Sequence, residues 1–577
     1  MSTVPSPSNH PPSDHRDLRH ADRSHRAGLP SVGVYPVGVP QRLDIPNIAA
    51  CGLLERAARR LPNHPATIFF EQTLTYGEVQ DAAQRLATWL QRSGIHSGER
   101  VGVLLPNCPE YLIALNAIWM AGGVAVAISP LSTAEDVAGL LTLTDCKTVI
   151  SLDLLLPLIV DDEGHVETRK ILQTSLCGYL PAWKRPLYRF ARMRKCASAN
   201  AQLSRINSFW DVIGGTSPGL VPVERLPAQD PAYILSTGGT TGDPKAVTLS
   251  HRNIVANAWQ QWYWSGASLG EERLMAVLPF FHSYGMSTML AAGAAMGATL
   301  IMQPRFQVTA VLKAVDRHQP TVFHAVPAML AALNDRLRKK PARGLQSLKW
   351  VISGGASLPV KTASEFAEHS GALVVEGYGL SEASPVTHVG PLDGSNVSGS
   401  IGLPLPNTEC RLIRLDREEH EEVADGEVGE LWVRGPQVML GYWQNDRATK
   451  QTITPDGWLK TGDLAKCGPT GFYEIVDRKK DLIITSGFNV YPADVEQVLR
   501  ECPEIQDVAV IGVADPTRGE VVKACVVLRR GASWSQSRLE KFSRQRLAKH
   551  RQPRIWEHIK TDLPRNFLGK VIRRRLR

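Results

Sequence analysis

Ser236-Thr237-Gly238-Gly239-Thr240-Thr241-Gly242-Asp243-Pro244-Lys245 is the stretch on which the reading of this chain turns. Three glycines free to take positive φ, four hydroxyls and a closing lysine make a donor-rich loop suited to a polyphosphate. It is not a Walker A loop: no Gly stands at the required spacing before a Gly-Lys-Ser/Thr, and Pro244 sits directly before Lys245. Tyr233-Ile234-Leu235 reads as a strand leading in and Ala246-Val247-Thr248-Leu249 as a strand leading out. Ser250 then reads as the N-cap of a helix through Asn253, Ile254 and Ala258. A loop between two strands grips phosphate through its amides, its hydroxyls and the Lys245 ammonium, with no helix dipole aimed directly at the anion. A Gly/Thr hairpin turn without a ligand is the plain alternative.

Outward from the loop, short apolar runs alternate with amphipathic segments. Leu74-Thr75-Tyr76-Gly77-Glu78 opens a capped helix through Leu90, and Val101 to Leu105 is a buried strand. Strands follow near 149–152, 274–278, 321–325, 348–353 and 373–376, with helices at 309–318 and 360–368. This alternation predicts an α/β fold, a large N-terminal domain of layered, mainly parallel sheets. From Thr408 the pattern becomes turn-separated strands (409–415, 428–434, 471–477), a small β subdomain. After Asp477 comes a compact α+β block with a helix at 494–500 and strands at 508–513 and 522–529, expected to be a small mobile C-terminal domain. The expected division is a disordered leader over 1–45, a domain over 46–476 with a poorly periodic insertion at about 160–228, and a domain over 477–577. Gly285 to Met302 is uncharged and long enough to imitate a membrane span, but its Ala, Gly, Ser and Thr content predicts a helix packed inside the α/β core.

The 577 residues exceed one small core, and ordinary apolar and charged fractions fit a soluble globular chain. The net charge of +9 is partly carried by Arg573-Arg574-Arg575-Leu576-Arg577, expected to be a solvated tail, and no nucleic-acid partner is expected. Nine scattered cysteines without metal spacing read as reduced thiols of a cytoplasmic protein, and the leader lacks an apolar signal core. In the insertion, Trp183, Tyr188 and Phe190 interleave with Lys184, Arg185, Arg189, Arg192, Arg194 and Lys195. That composition suits peripheral contact with anionic lipid on the inner face of a membrane, with a solvated surface helix as the plainer reading. A homodimer is compatible with the sequence but not read from it.

Four further segments complete a nucleotide-site constellation in a fixed order. Gly354-Gly355-Ala356-Ser357 offers close backbone approach to an adenine edge. Glu376-Gly377-Tyr378-Gly379-Leu380-Ser381-Glu382 sets an aromatic face between glycines with a carboxylate after it. Trp458-Leu459-Lys460-Thr461-Gly462-Asp463 presents an acid in a turn, suited to ribose hydroxyls. Asp477-Arg478-Lys479-Lys480-Asp481 and Gly569-Lys570 bring cations.

With these motifs the chain resembles the adenylate-forming superfamily of acyl-CoA synthetases, luciferases and adenylation domains, and within it the bacterial long-chain fatty acid-CoA ligases. Tyr378 to Pro385, Gly399-Ser400-Ile401-Gly402-Leu403-Pro404 and Ser486-Gly487-Phe488-Asn489-Val490-Tyr491-Pro492 carry the finer likeness, which covers residues 50–577. The resemblance implies ATP and CoA as co-substrates, Mg²⁺, and activation of a medium- to long-chain fatty acid through acyl-AMP. It assigns ATP binding to Thr237, Gly238, Gly239, Thr240, Thr241, Gly242, Lys245, Gly354, Ala356, Gly377, Tyr378, Gly379, Ser381, Asp463, Arg478 and Lys480. Thr237 and Glu382 would share the metal, and Lys570, Glu382 and Arg478 would be catalytic. Asp477 would be the hinge, Gly487, Phe488, Asn489 and Tyr491 would serve the CoA step, and His282 would flank the acyl pocket or be a core histidine. One domain serving two steps implies rotation about the hinge.

Three positions depart from the family pattern: Ala246 where Gly is usual, Ser381 for Thr, and Asp494 for Glu. Ala246 is harmful only if that position needs positive φ. Two other functions remain open at this point: an acyl- or aryl-adenylate ligase that loads a carrier protein in trans, and an inactive membrane-associated scaffold.

Overall fold

The computed structural model describes residues 35–159, 170–195, 206–237, 245–415, 420–486, 488–565 and 569–577. Among them, a nine-stranded sheet has at its centre the parallel strands Leu373–Gly379, Trp350–Ser353, Val322–Ala325, Arg273–Ala276, Thr299–Met302 and Pro65–Phe69, with antiparallel strands at both edges. An eight-stranded sheet runs parallel from Pro231–Thr237 through Val124–Ala127, Arg100–Leu104 and Thr148–Leu152 to Ile206–Ser208. The two share one apolar core with the helix Pro109–Ala121, every residue of which is buried. That all-round burial explains its uniformly apolar sequence. The α/β expectation for this part is borne out.

Local signals set several element starts. Thr75 and Glu78 form a reciprocal capping box on Tyr76–Arg92, and Ser250 and Asn253 form another on His251–Ser265. The strands Pro231–Thr237 and Lys245–Ser250 pair antiparallel, Thr237 opposite Lys245, so the Gly/Thr loop joins two strands as expected. Glu409–Ile413, Gly429–Arg434, Leu459–Cys467 and Tyr473–Arg478 form a four-stranded antiparallel sheet. Beyond it, a five-stranded sheet around Ile505–Asp515 and Gly519–Leu528 encloses its own core with Val495, Leu499 and Trp556.

Four expectations are corrected. Gly285–Met302 is not one helix: an α-turn and a π-helical turn (Met286–Ala291) lead to Ala292–Met296, Gly297 ends the helix at φ 65°, and Thr299–Met302 is a buried strand. The left-handed backbone at Gly297 is one that L side chains rarely adopt, so the break is set there. The expected insertion at about 160–228 is in its described part built into the domain: Lys170–Thr174 and Ile206–Ser208 extend the eight-stranded sheet in parallel register. Residues 35–45 belong to the folded domain, because Tyr35 meets Trp264 edge-on and donates to the Pro404 carbonyl, and Leu43 N–H donates to the Asn407 side chain. The basic tail is not simply solvated: Arg573 reaches Asp481 at 3.1 Å and Glu496 at 2.8 Å.

Candidate active site

A cavity of about 1730 Å³ lies where the parallel strands of the nine-stranded sheet end. It draws lining from segments far apart in the sequence: Lys245, Gly354, Tyr378, Glu382, Arg478 and Lys570 all face it. Gly377, Gly379, Ser381, Lys480 and His282 line it too, whereas Ala356 does not. Gly238, Gly239, Thr240, Thr241, Gly242 and Gly487 lie outside the described residues, and only the backbone of Thr237 is described, at the end of its strand.

Asp463 lies within the strand Leu459–Cys467, not in a turn. The backbone irregularity comes one residue earlier, at Gly462 with φ 70°, and Asp463 faces Arg478 across the pair of strands. Arg478 Nε lies 2.6 Å from Asp463 Oδ1, and the Tyr378 hydroxyl donates to Oδ2 at 2.6 Å. Asp463 is only 3% exposed, so a low-dielectric setting strengthens both contacts. The phenol of Tyr378 is held well above its ordinary range, first by burial and then by the Asp463 charge, and stays a donor. Tyr378 and Arg478 therefore line the cavity as one tied unit, with Asp463 buried directly behind them and not itself in the lining.

Lys570 joins that unit from the far end of the sequence. Gly569 packs its Cα against Ala328, where an added Cβ would meet the Ala328 Cβ at 3.2 Å, so the lysine-bearing turn docks on the large domain. Burial first, and then Arg478, Lys480 and Arg573 against the opposing Asp463 charge, push the Lys570 ammonium down to about 8. Lys480 is lowered by burial and then by Arg478. Cations crowded at the cost of their own protonation describe a site waiting for a polyanion.

Across the cavity, the Tyr442 hydroxyl donates to Glu382 Oε1 at 2.9 Å, and the Lys245 ammonium lies 4.8 Å from the centre of the same ring. The Glu382 carbonyl accepts from Met439 N–H, and Ser381 Oγ lies 3.0 Å from Ser283 Oγ. Among the described residues no group of three or more His, Cys, Asp or Glu side chains could hold a metal. A lone carboxylate beside cations fits Mg²⁺, which binds through one or two carboxylates, substrate phosphates and water. Ala246 is a buried strand residue absent from the positive-φ positions, so its Cβ costs the loop nothing.

His282 caps the turn that opens Ser283–Gly285, its Nδ1 accepting from Tyr284 N–H at 3.2 Å, and burial lowers its pKa to about 4. It stays neutral, a wall residue and not a charge. Phe488, Asn489 and Tyr491 do not line the cavity; Phe488 is largely exposed and stacks on His550. Asp477 ends the four-stranded sheet and accepts from Arg478 N–H and Ala493 N–H, tying that sheet to the helix Pro492–Arg500.

Sequence reasoning missed Tyr442, Ser283 and Arg573. Gly441-Tyr442-Trp443 carries no phosphate-type signal, and only the pairing of Gly441–Tyr442 with Lys245–Ser250 brings the phenol to the site. Comparison with known proteins identifies the family. The AMP-binding enzyme family matches residues 54–443, and the AMP-binding enzyme C-terminal domain matches 494–570. A long-chain-fatty-acid–CoA ligase of Bacillus subtilis (strain 168) is 38% identical over 95% of this chain and 97% of its own. The crystal structure of ATP-bound MatB from Rhodopseudomonas palustris superposes with a TM-score of 0.76 at 28% identity, covering 92% of this chain and 98% of that one. A Mycobacterium tuberculosis fatty acyl CoA synthetase gives 0.69 at 26%, over 92% and 97%. This chain belongs to the AMP-binding enzyme family and is an AMP-forming ligase that joins an acid to a thiol.

Proposed function

We propose that the enzyme activates a medium- to long-chain fatty acid in two steps at this cavity. The fatty carboxylate attacks the α-phosphorus of ATP and expels pyrophosphate; the CoA thiol then attacks the acyl carbon of acyl-AMP and expels AMP. The observation that carries the reading is the convergence of Lys245, Tyr378, Arg478, Lys480 and Lys570 on one cavity, with Asp463 tied directly behind Tyr378 and Arg478 and with Leu274, Val322 and Trp350 lining the same cavity beyond them. The likeness to a named long-chain-fatty-acid–CoA ligase supports the acid class.

The residues divide the work by charge. Bringing a carboxylate to a triphosphate opposes two anions, so preorganised cations lower the barrier most where charge moves onto pyrophosphate. Lys570 serves that point. Lys245 with Gly238, Gly239, Thr240, Thr241 and Gly242 holds the outer phosphates. Asp463 accepts the ribose hydroxyls, Arg478 orients that carboxylate, and Tyr378 with Gly354, Gly377 and Gly379 forms the adenine wall. Glu382 and Thr237 would hold Mg²⁺, which would supply positive charge near the phosphates. In this pose Lys570 faces the cavity and Phe488, Asn489 and Tyr491 do not, which supports rotation about Asp477 for the CoA step.

Acid-dependent ATP–pyrophosphate exchange tests the first step; no exchange across a panel of saturated acids would sink it. CoA-dependent release of AMP then separates this reading from loading of a carrier protein in trans.

A second observation bears on where the enzyme works. No helix among the described residues is long and apolar enough to cross a membrane. The helix Arg185–Lys195 is nonetheless inverted: Tyr188 and Arg192 turn inward to Asp153, while Leu187 and Phe190, with Trp183 just before them, are left in solvent. Exposed aromatics among arginines suit the interface of an anionic bilayer, so we infer peripheral contact through this helix.

A further inference from the structure

The cavity extends well past the reacting carboxylate. Gly354 and Gly377 line it at the C-terminal ends of the central strands, while Leu274, Val322 and Trp350 line it at the N-terminal ends of the same parallel strands. Strands of this length span about 13 Å, so a limb of mainly apolar lining, interrupted by His324 and Gln261, runs along the sheet face. Trp264 of the helix His251–Ser265 and Met296 of Ala292–Met296 cover it.

The far end of this limb is not apolar. Glu272, the residue before the strand Arg273–Ala276, lines the cavity at 1% exposure. Its Oε1 lies 2.7 Å from Lys349 Nζ, and its Oε2 accepts from the Thr321 hydroxyl. Thr321 and Lys349 hold the same place in their own strands, directly before Val322 and Trp350. The group is thus a tie across three adjacent strand starts. The Lys349 side chain is 46% exposed and passes over the Trp350 ring at 5.6 Å, so solvent lies directly behind the pair.

A buried ion pair adds little net stability compared with apolar packing of the same volume. At the end of an apolar limb it does something a leucine would not. The terminal methyl of an alkyl chain that reaches Glu272 must lie against a carboxylate whose partners it cannot replace.

We propose that the Glu272–Lys349 pair is the end stop of the acyl pocket and sets the longest acid the enzyme accepts. Acids that fill the limb gain affinity with each methylene, and longer ones are rejected because the plug does not yield. The inference rests on the acid-pocket reading above and names the residues that determine specificity within it.

The test is the chain-length profile of kcat/KM in pyrophosphate exchange, read as the ratio of each longer saturated acid to a short reference acid. It is measured on the full chain, on Lys349→Met and on Glu272→Gln/Lys349→Met, the last leaving no unpaired buried carboxylate. Thermal melting of each variant reports its fold. Removing the charges is expected to move the optimum to longer acids, the ratio rising roughly fourfold for each methylene newly accommodated. Leu274→Phe, which fills the limb short of the pair, is expected to move the optimum to shorter acids. A profile unchanged in the folded double variant overturns the end stop. If Leu274→Phe still shortens the profile in that case, the acid pocket stands; if neither variant moves it, the pocket reading fails as well.

Discussion

The Tyr442 hydroxyl donates to Glu382 Oε1 at 2.9 Å while its ring lies 4.8 Å from the Lys245 ammonium, so one side chain holds a carboxylate and a cation at a fixed separation. Removing the hydroxyl alone frees Glu382 without disturbing the cation–π contact. Tyr442→Phe is therefore expected to raise the Mg²⁺ concentration needed for half-maximal rate and to slow exchange by roughly 10–100-fold, the usual scale for partners that orient a metal ligand. Tyr442→Ala removes both contacts and should raise KM for ATP in addition. Equal effects of the two substitutions on ATP would refute a separate hold on Lys245.

Lys570 should impose an alkaline limit on adenylation. Its ammonium is pushed down to about 8 from 10.5, chiefly by burial. In the free enzyme it loses charge above about pH 8, and kcat/KM for ATP is expected to fall there. Its contribution to stability runs the other way. Between about 8 and 10.5 the unfolded chain binds the proton that the folded one has released, so that contribution rises with pH. Activity and melting temperature measured together should separate in this window. Lys570→Arg, which keeps its charge, should move the alkaline limb upward.

Lys570→Ala should split the two half-reactions. The lysine faces the cavity in the pose where Phe488 and Asn489 do not, so exchange should fall by a hundredfold or more, on the order of one lost charge contact in a transition state. Thioester formation from supplied acyl-AMP should stay nearly intact. Equal loss in both assays would show that the lysine acts on the fold and not on adenylation.

Gly379 tests how tightly the wall behind Tyr378 is built. A Cβ there would lie 1.9 Å from the Pro385 carbonyl oxygen, and Leu380 N–H donates to that same oxygen. Gly379→Ala is expected to cost roughly 1–3 kcal/mol or more by forcing backbone apart, and to abolish exchange by displacing Tyr378 and Ser381. Gly394→Ala, at φ 92° with open space around it, carries only the smaller penalty of about 1–2 kcal/mol for left-handed backbone. Similar melting temperatures for the two variants would contradict the packing argument.

What the sequence reveals divides by range. The boxes Thr75/Glu78 and Ser250/Asn253 close within one turn, and the strand pair around the Gly/Thr loop is local, so both are legible from the residues themselves. Tyr378, Asp463, Arg478 and Lys570 come from the family likeness, since nothing in their local chemistry requires that they meet. Tyr442 and Glu382 are 60 residues apart, and Glu272 lies 49 and 77 residues from Thr321 and Lys349; such pairs are set by sheet register alone. Gly285–Met302 misleads for another reason. Its apolar residues are buried on every side, so neither helical nor strand period appears, and only Gly297 marks the change from one to the other.

The helix Arg185–Lys195 separates electrostatic attraction from apolar insertion. Trp183 and Leu187 are 75% and 69% exposed, Lys184 and Arg194 lie over the Trp183 and Phe190 rings, and Tyr188 fixes the opposite face to Asp153. Arg189→Glu/Arg194→Glu should abolish flotation with anionic vesicles at low salt, and added salt should weaken the unmodified enzyme in the same way, because surface charge acts over only about 10 Å at 0.1 M. Trp183→Ser/Leu187→Ser/Phe190→Ser should leave a salt-sensitive encounter but lose the fraction that survives high salt. These residues project away from Asp153, so both variants should retain exchange activity and melting temperature. Binding unchanged in both variants would assign the inverted helix face to something other than a bilayer.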